Sequence, residues 1–293
     1  MHRHYSNFTI LILFISISFL FSHNAFAGWE VGLKGGSDSN INRAVEDSLN
    51  DTYMTGFLSF TREPSDGTDT DWSLNLFLEG TNYADSSDLN CVVAGIMPSI
   101  IFYPSTKWSV SISPFIEAIE VKDEEQSSFA FGGEVSIKQL WGQKYYTGEY
   151  FVYTDSRADI DIYSYKEKAV GLYAGINWTD AFWSEIGYGF SRGDSFRAVE
   201  EVYTIPVVTS QIGNQGGTGG QGGAGQNNSP RYSEVYNSYI INEPVDCQTI
   251  GVNMGYQFTS HIFSFINYSY TTYKGNAGNS KTHTGTIGVG YSF

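Results

Sequence analysis

Charged side chains are scarce in this chain of 293 residues, and most of those present are acidic. Asp, Glu, Lys and Arg make up 16% of the residues, with 31 acids against 16 bases and a formal net charge of −15. A soluble globular protein carries about 25% charged residues. The shortage of bases argues against a nucleic-acid-binding protein, because phosphate contacts require a basic face.

Cysteine, proline and histidine are also rare, with two, seven and five copies. Beyond residue 27 the only histidines are His261 and His283, and neither has the spacing of a zinc or haem-attachment motif. No Gly-x-Ser-x-Gly motif occurs either. The sequence therefore predicts a protein that is not an enzyme and has no cofactor and no metal site.

The only long hydrophobic run lies at the N-terminus. Arg3 precedes an apolar run from Phe8 to Phe21, and Ala25-Phe26-Ala27 places small residues at the −3 and −1 positions of a cleavage site. This run is too short to span a membrane, which takes about 20 apolar residues. We therefore predict a secretory signal peptide over residues 1–27 and a mature chain over 28–293.

Aromatic residues and glycine are abundant, with 21 Tyr, 20 Phe and 32 Gly. The end of the chain alternates Ile287, Val289, Tyr291 and Phe293 with small or polar residues, which is the period of a half-buried β-strand. Twelve such segments are separated by connections that alternate between short and long. This pattern predicts an all-β fold: a single transmembrane antiparallel up-and-down β-barrel of about 12 strands.

The signal peptide and the C-terminal alternation resemble those of Gram-negative outer-membrane β-barrel proteins. The terminal Phe293, with Tyr291 before it, is similar to the assembly signal of that family. The resemblance implies a porin-like barrel in the cell outer membrane. It also implies contact with outer-membrane lipid and lipopolysaccharide, and with the barrel-assembly machinery during biogenesis.

The polar faces of the predicted strands indicate what lines the lumen. Carboxylates outnumber bases there, which favours cations. A barrel of twelve strands has a backbone diameter of about 24 Å, so either a narrow water path or a filled interior fits. Segments 53–62, 91–102 and 261–273 are apolar on both faces, and their facing stays open. The predicted lumen-facing residues are Glu30, Lys34, Glu79, Glu117, Glu134, Lys138, Glu149 and Glu185.

The longest predicted external loop covers residues 192–247. Its tract Gly213–Gln226 has the composition of a flexible coil, which favours a mobile loop outside the cell. The flanking residues could instead pack inside the mouth as a constriction; these are Tyr232, Tyr236, Tyr239, Ile240 and Ile241. A loop that adheres to a surface partner is a further alternative.

The two cysteines allow a disulfide but do not require one. Cys91 and Cys247 fall on the fourth and tenth predicted strands, on opposite sides of the ring. Their Cα atoms would have to approach within about 7 Å to bond. A disulfide therefore requires Cys247 to lie on a loop folded across the mouth, and two free thiols are the alternative.

These features favour a passive, porin-like channel for small cationic or neutral solutes, with the glutamates providing selectivity. The alternative is a surface interaction, adhesion or envelope-structural protein that uses the barrel as an anchor. Deleting the long loop separates the two hypotheses. A channel would conduct more, whereas an adhesin would lose its partner with little change in conductance.

Overall fold

The structure is a computed structural model, and it describes residues 27–64, 69–199 and 230–293. Residues 1–26 of the predicted signal peptide and the glycine-rich tract Gly213–Gln226 lie outside the described residues. Within the described ranges, no helix is long and apolar enough to cross a membrane.

Strands account for most of the described chain, because alternating apolar and polar side chains favour the period of a strand over that of a helix. Three single-turn 3-10 helices lie in the connections, at Ser87–Leu89, Glu124–Gln126 and Asp161–Tyr163. The strands are β1 (Ala27–Asp38), β2 (Asp51–Arg62), β3 (Thr70–Tyr83), β4 (Cys91–Ser105), β5 (Trp108–Val121), β6 (Ser128–Trp141), β7 (Tyr145–Ala158), β8 (Tyr165–Asn177), β9 (Phe182–Val199), β10 (Arg231–Ser233), β11 (Ser238–Gln257), β12 (Ile262–Gly275) and β13 (Gly278–Ser292).

The strands form one closed antiparallel sheet. Each wall strand pairs with its neighbours along the chain, β13 pairs with β1, and β9 pairs with β11. The short β10 pairs only with the start of β11, so twelve strands make the wall. The predicted fold, an up-and-down barrel of twelve strands, is confirmed.

The outer face of the barrel is an apolar belt. Leu33, Leu172 and Ile287 are each more than half exposed and point away from the lumen. A ring of exposed aromatic side chains follows this belt at the end where the chain termini lie, as expected for a membrane-spanning barrel. The ring consists of Trp72, Phe102, Trp108, Trp141, Tyr145, Trp178, Tyr256, Phe258, Tyr291 and Phe293.

The two ends of the barrel differ, and we name them the turn end and the loop end. The turn end carries both described termini and short connections such as Gly142–Lys144. The loop end carries longer connections such as 39–50. In bacterial outer-membrane barrels the short turns face the periplasm and the long loops face outward. By this rule we expect the loop end to be the external end.

Two predicted external loops are shorter than expected. The segment 274–281 was predicted as a loop, but β12 and β13 are joined there only by Asn276 and Ala277. The long loop was predicted over 192–247, yet β9 continues to Val199 and β11 begins at Ser238. These two strands extend beyond the predicted limits because their apolar side chains pack in the mouth of the barrel, as described below.

Candidate functional site

The strand pairings place seven of the eight predicted lumen residues on the inner face. Lys34 pairs with Gly288, which alternates with the outward Ile287 and Val289, so its side chain points inward. Directly paired residues lie on the same face of the sheet, so the inner and outer faces of the other strands follow from the remaining pairings. The inner residues are Glu30, Lys34, Glu79, Glu117, Glu134, Lys138 and Glu185.

Glu149 was predicted to face inward, and this is wrong. It pairs with Ile137 on β6 and Leu172 on β8, and both of these side chains face the membrane. The inner face of β7 is formed instead by residues such as Tyr146 and Tyr150. Their size suggested an outward position, but glycines on the neighbouring strand leave room for both rings inside the barrel.

One ion pair crosses the inner face near β1–β3. Lys34 Nζ lies 2.7 Å from Glu79 Oε2, and both side chains are partly exposed to the lumen. On the far wall Tyr146 donates a hydrogen bond to Glu185 at 3.2 Å, and the ring of Tyr146 lies 4.3 Å from Lys138 Nζ. These contacts offset part of the inner charge but leave carboxylates in excess.

The inner wall also carries large aromatic side chains, each lying over a glycine of the neighbouring strand. Phe57 covers Gly32, and Phe265 covers Gly288. The rings of Phe57 and Phe265 stand 6.2 Å apart. These residues belong to the segments whose facing stayed open in the sequence, and they narrow the lumen between its charged groups.

A hydrophobic cluster spans the mouth at the loop end, and we call it the cap. Its buried members come from five different parts of the chain: the connections β1–β2, β3–β4 and β7–β8, the end of β9, and the segment 233–241. Because these elements lie on opposite sides of the ring, their packing closes across the opening. The buried members are Ala44, Leu89, Ile162, Tyr163, Ala198, Tyr236 and Ile240.

The suggested constriction by the flanks of the long loop is partly seen. Ile240 and Tyr236 are buried in the cap, at 0% and 5% exposure, whereas Tyr232 and Tyr239 are exposed. Burial raises the pKa of the Tyr236 and Tyr163 hydroxyls above the ordinary value. Both cap tyrosines are thus held in the neutral form.

A buried ion pair fastens the cap to the barrel rim. Arg197 of β9 is fully buried, and its Nη1 lies 3.0 Å from Glu243 Oε1 of β11. Arg197 also donates to the carbonyl of Gly278 at 2.7 Å and to Ser280 Oγ at 3.0 Å. Glu243 in turn accepts from the backbone N–H of Asn276 at 2.7 Å. The pair therefore fixes the β9–β11 extension against the β12–β13 turn.

Arg43 is a second functional candidate that the sequence alone did not identify. It lies on the β1–β2 connection with a positive φ of 51°, a conformation that non-glycine residues seldom adopt. Its guanidinium donates to Ser195 Oγ at 2.7 Å and lies 4.8 Å from the centre of the Phe196 ring. The connection therefore folds inward across the mouth instead of extending into solvent.

A cavity of about 240 Å³ lies beneath Arg43. Its wall is mostly polar, since hydroxyl groups from β9, β11 and β12 meet a guanidinium and a carboxylate there. Because Arg43 belongs to the connection that folds over the mouth, this cavity lies next to the cap. The lining includes Arg43, Tyr165, Glu167, Thr249, Thr271 and Tyr273.

Both cysteines are free thiols on wall strands. Cys91 begins β4, and Cys247 lies within β11, where it pairs with Ser191 and Tyr273. The disulfide hypothesis required Cys247 to lie on a loop folded over the mouth. Cys247 lies in the barrel wall instead, so this requirement is not met.

The remaining predicted residues lie away from the lumen. Tyr291 and Phe293 face outward at the turn end, with ring centroids 4.9 Å apart. His283 Nδ1 lies 2.8 Å from the Tyr268 hydroxyl on the outer face. No group of three or more His, Cys, Asp or Glu side chains in the described ranges is arranged to hold a metal ion.

Comparison with solved structures identifies the architecture. The COG4313 outer-membrane channel from Pseudomonas putida F1 matches with a TM-score of 0.58 at 9% identity, over 93% of this chain and 97% of that one. The chain has the fold of an outer-membrane channel. The KdgM porin in complex with disordered oligogalacturonate matches with a TM-score of 0.50 at 9% identity, over 90% of this chain and 99% of that one.

The comparisons at sequence level add nothing to this. No protein-family model matches the chain, and no curated protein matches it. The shared fold, the apolar belt and the aromatic ring together indicate the outer membrane as the location of this porin-like barrel.

Proposed function

We propose that this barrel is a passive channel for small cationic or neutral solutes, and that the cap restricts its external mouth. The observation that carries the proposal is the excess of carboxylates on the inner face of a closed twelve-stranded wall. Lumen side chains set the selectivity of such barrels, and rings of carboxylates favour cations.

The charge balance of the inner wall supports the cation preference. Lys34 is already paired with Glu79, so the inner base without a carboxylate partner at ion-pair distance among the described wall residues is Lys138. Against it stand the carboxylates of Glu30, Glu117, Glu134, Glu167 and Glu185. Because each adds negative potential to a narrow water path, a cation entering the lumen is stabilised and an anion is repelled.

The matched structures do not supply the solute. The KdgM porin was solved with oligogalacturonate, an acidic oligosaccharide, and that ligand belongs to that protein. An acidic inner wall would repel such a polyanion. We therefore infer that cations and uncharged solutes suit this lumen better.

The selectivity proposal is tested by removing equal charge from the two faces of the barrel. The inner variant is Glu117→Gln with Glu134→Gln. The outer control is Glu120→Gln with Glu149→Gln, because both of these side chains point away from the lumen on β5 and β7. Each refolded protein is placed in a planar bilayer under a KCl gradient, and the reversal potential is measured.

We expect the inner variant to lose cation selectivity while the outer control keeps that of the unmodified protein. Equal reversal potentials for both variants would contradict the proposed role of the inner glutamates. Absence of current from folded protein, judged by its heat-modifiable gel shift, both unmodified and with Glu243→Gln to open the cap, would contradict the channel itself. In that case the interaction or anchoring role would become the working hypothesis.

A further inference from the structure

Basic side chains are concentrated on one sector of the outer wall, in a chain that is acidic overall. The sector consists of the neighbouring wall strands β7, β8, β9, β11, β12 and β13. Six of the 16 Lys and Arg residues face outward near the loop end of these strands, on all of them except β11. All six are exposed. We name this set the basic rim, and it consists of Arg157, Lys166, Lys168, Arg192, Lys274 and Lys281.

The cross-strand register brings several of these side chains side by side. Lys168 of β8 pairs directly with Arg192 of β9, Arg192 pairs with Asp246 of β11, and Asp246 pairs with Lys274 of β12. Such positions have neighbouring Cβ atoms about 5 Å apart. The rim is therefore a continuous surface across four strands.

Acidic side chains within the sector do not neutralise it. Asp155 lies 3.3 Å from Arg157 and 3.2 Å from Lys166, and Asp246 lies 3.5 Å from Arg192. Three bases of the rim, Lys168, Lys274 and Lys281, make no ion pair with another described residue. Asp194 of β9 also faces outward, where it pairs with Pro244. Six bases therefore stand against three outward acids on these strands, and net positive charge remains on an exposed face.

The rim lies at the height where lipid head groups begin. Arg192 comes two residues beyond the outward Phe190 on β9, and Lys168 lies two residues to the loop side of the outward Val170 on β8. On β7 the guanidinium of Arg157 lies 5.3 Å from the centre of the outward Phe131 ring. These three bases therefore lie at the edge of the apolar belt.

The opposite sector of the outer wall lacks this feature. On the loop-end half of β1–β6, the described outward positions are occupied by residues such as Met54, Asn82, Val92 and Glu120. Lys122, an exposed base directly after β5, lies 2.9 Å from Asp88 and is thus paired with an acid. A general demand for solubility would distribute bases around the whole ring. The concentration of unpaired bases in one sector points to a bound anion.

We propose that the basic rim binds the phosphate groups of lipopolysaccharide in the outer leaflet. Phosphates lie at the height of the rim, and clustered Lys and Arg side chains next to an apolar wall recognise anionic head groups. The acyl chains then pack against the apolar belt below. This site lies on the membrane face of the barrel, so it does not depend on conduction through the lumen.

The test compares two variants with the same loss of charge. The rim variant is Lys168→Gln with Arg192→Gln, and the control is Lys107→Gln with Lys144→Gln, whose side chains are exposed at the turn end. Folded protein in neutral detergent is titrated with bisphosphorylated lipid A, with dephosphorylated lipid A and with phosphatidylglycerol. Bound lipid is counted by native mass spectrometry, and folding is checked by the heat-modifiable gel shift.

We expect the rim variant to bind bisphosphorylated lipid A about 25-fold more weakly, since each of the two lost bases near an anionic surface contributes a factor of about 5. The control should bind as the unmodified protein does. If the rim variant does not fold, Lys274→Gln alone should still weaken binding about fivefold. Equal binding of bisphosphorylated lipid A by the rim and control variants would overturn the proposal. Equally tight binding of dephosphorylated lipid A or of phosphatidylglycerol would also overturn it.

Discussion

The Arg197–Glu243 pair offers the sharpest test of the cap. Replacing Glu243 by Gln removes the carboxylate that lies 3.0 Å from a guanidinium with 0% exposure. Breaking one partner of a buried ion pair costs about 3–5 kcal/mol, because the other charge stays buried without compensation. The same substitution weakens the hydrogen bonds from the Asn276 and Ala277 backbone N–H groups. The closed cap should therefore lose at least about 3 kcal/mol of stability, which raises the open population more than 100-fold.

The neighbouring pair Arg192–Asp246 provides the control on the same two strands. Its atoms are 3.5 Å apart, and its side chains are 74% and 43% exposed. An exposed pair is worth about 0–1 kcal/mol, so Asp246→Asn should leave the cap closed. Single-channel open probability and amide hydrogen exchange at Asn276 report the opening. Equal values for Glu243→Gln and Asp246→Asn would refute the assigned role of the buried pair.

The remaining predictions concern the wall and the cap. Glu149→Leu should stabilise the barrel in lipid vesicles by about 1 kcal/mol, as followed by urea unfolding, because a membrane-facing carboxyl is costly; an unchanged or lower stability would contradict its placement. Gly132→Ala should destabilise the fold by about 1–3 kcal/mol in the same assay, because the new methyl group overlaps the backbone oxygen of Tyr153 and also the Phe115 ring, whereas Gly80→Ala meets no atom within 4 Å and should cost less. Burial raises the pKa of Tyr236, so the neutral hydroxyl stabilises the closed cap fully below about pH 10. This stabilisation is lost as the pH rises further and the hydroxyl ionises. Conductance should accordingly rise above pH 10, and Tyr236→Phe should reduce that rise.

The wall could be predicted from the sequence wherever one face of a strand is apolar and the other is polar. Glu117 and Glu134 lie on such strands, and the structure places both on the inner face. In β7 the large side chains Tyr146 and Tyr150 face inward, so the same rule gave the wrong face for Glu149. Inner glycines make space for these rings, and the pattern of one strand does not reveal the glycines of its neighbour.

Only part of the cap could be predicted: Tyr236 and Ile240 were expected to pack in the mouth, but the other cap contacts join residues far apart in the chain. Arg197 contacts Glu243, Gly278 and Ser280, which are between 46 and 83 positions away. The only local signal was an arginine placed between Phe196 and Ala198 in a segment that was read as a loop. Its pairing depends on β9 and β11 extending past the barrel rim, which is a tertiary effect.

The cap also changes how the acidic lumen would be reached. A solute from outside has to pass the packed connections before it meets the inner glutamates, so access depends on the stability of the cap. Selectivity and gating would then lie in different parts of the molecule. In the proposed channel, the inner wall would set which charge is favoured, and the Arg197–Glu243 pair would set how often the mouth is open.

The most direct test of the central proposal is the reversal potential of the refolded chain, residues 28–293, in a planar bilayer under a KCl gradient. The inner carboxylate excess predicts discrete current steps whose reversal potential has the sign of a cation-selective pore. An anion-selective sign would contradict the assigned role of the inner glutamates. No current from a barrel with an intact heat-modifiable gel shift, both unmodified and with Glu243→Gln, would contradict the channel.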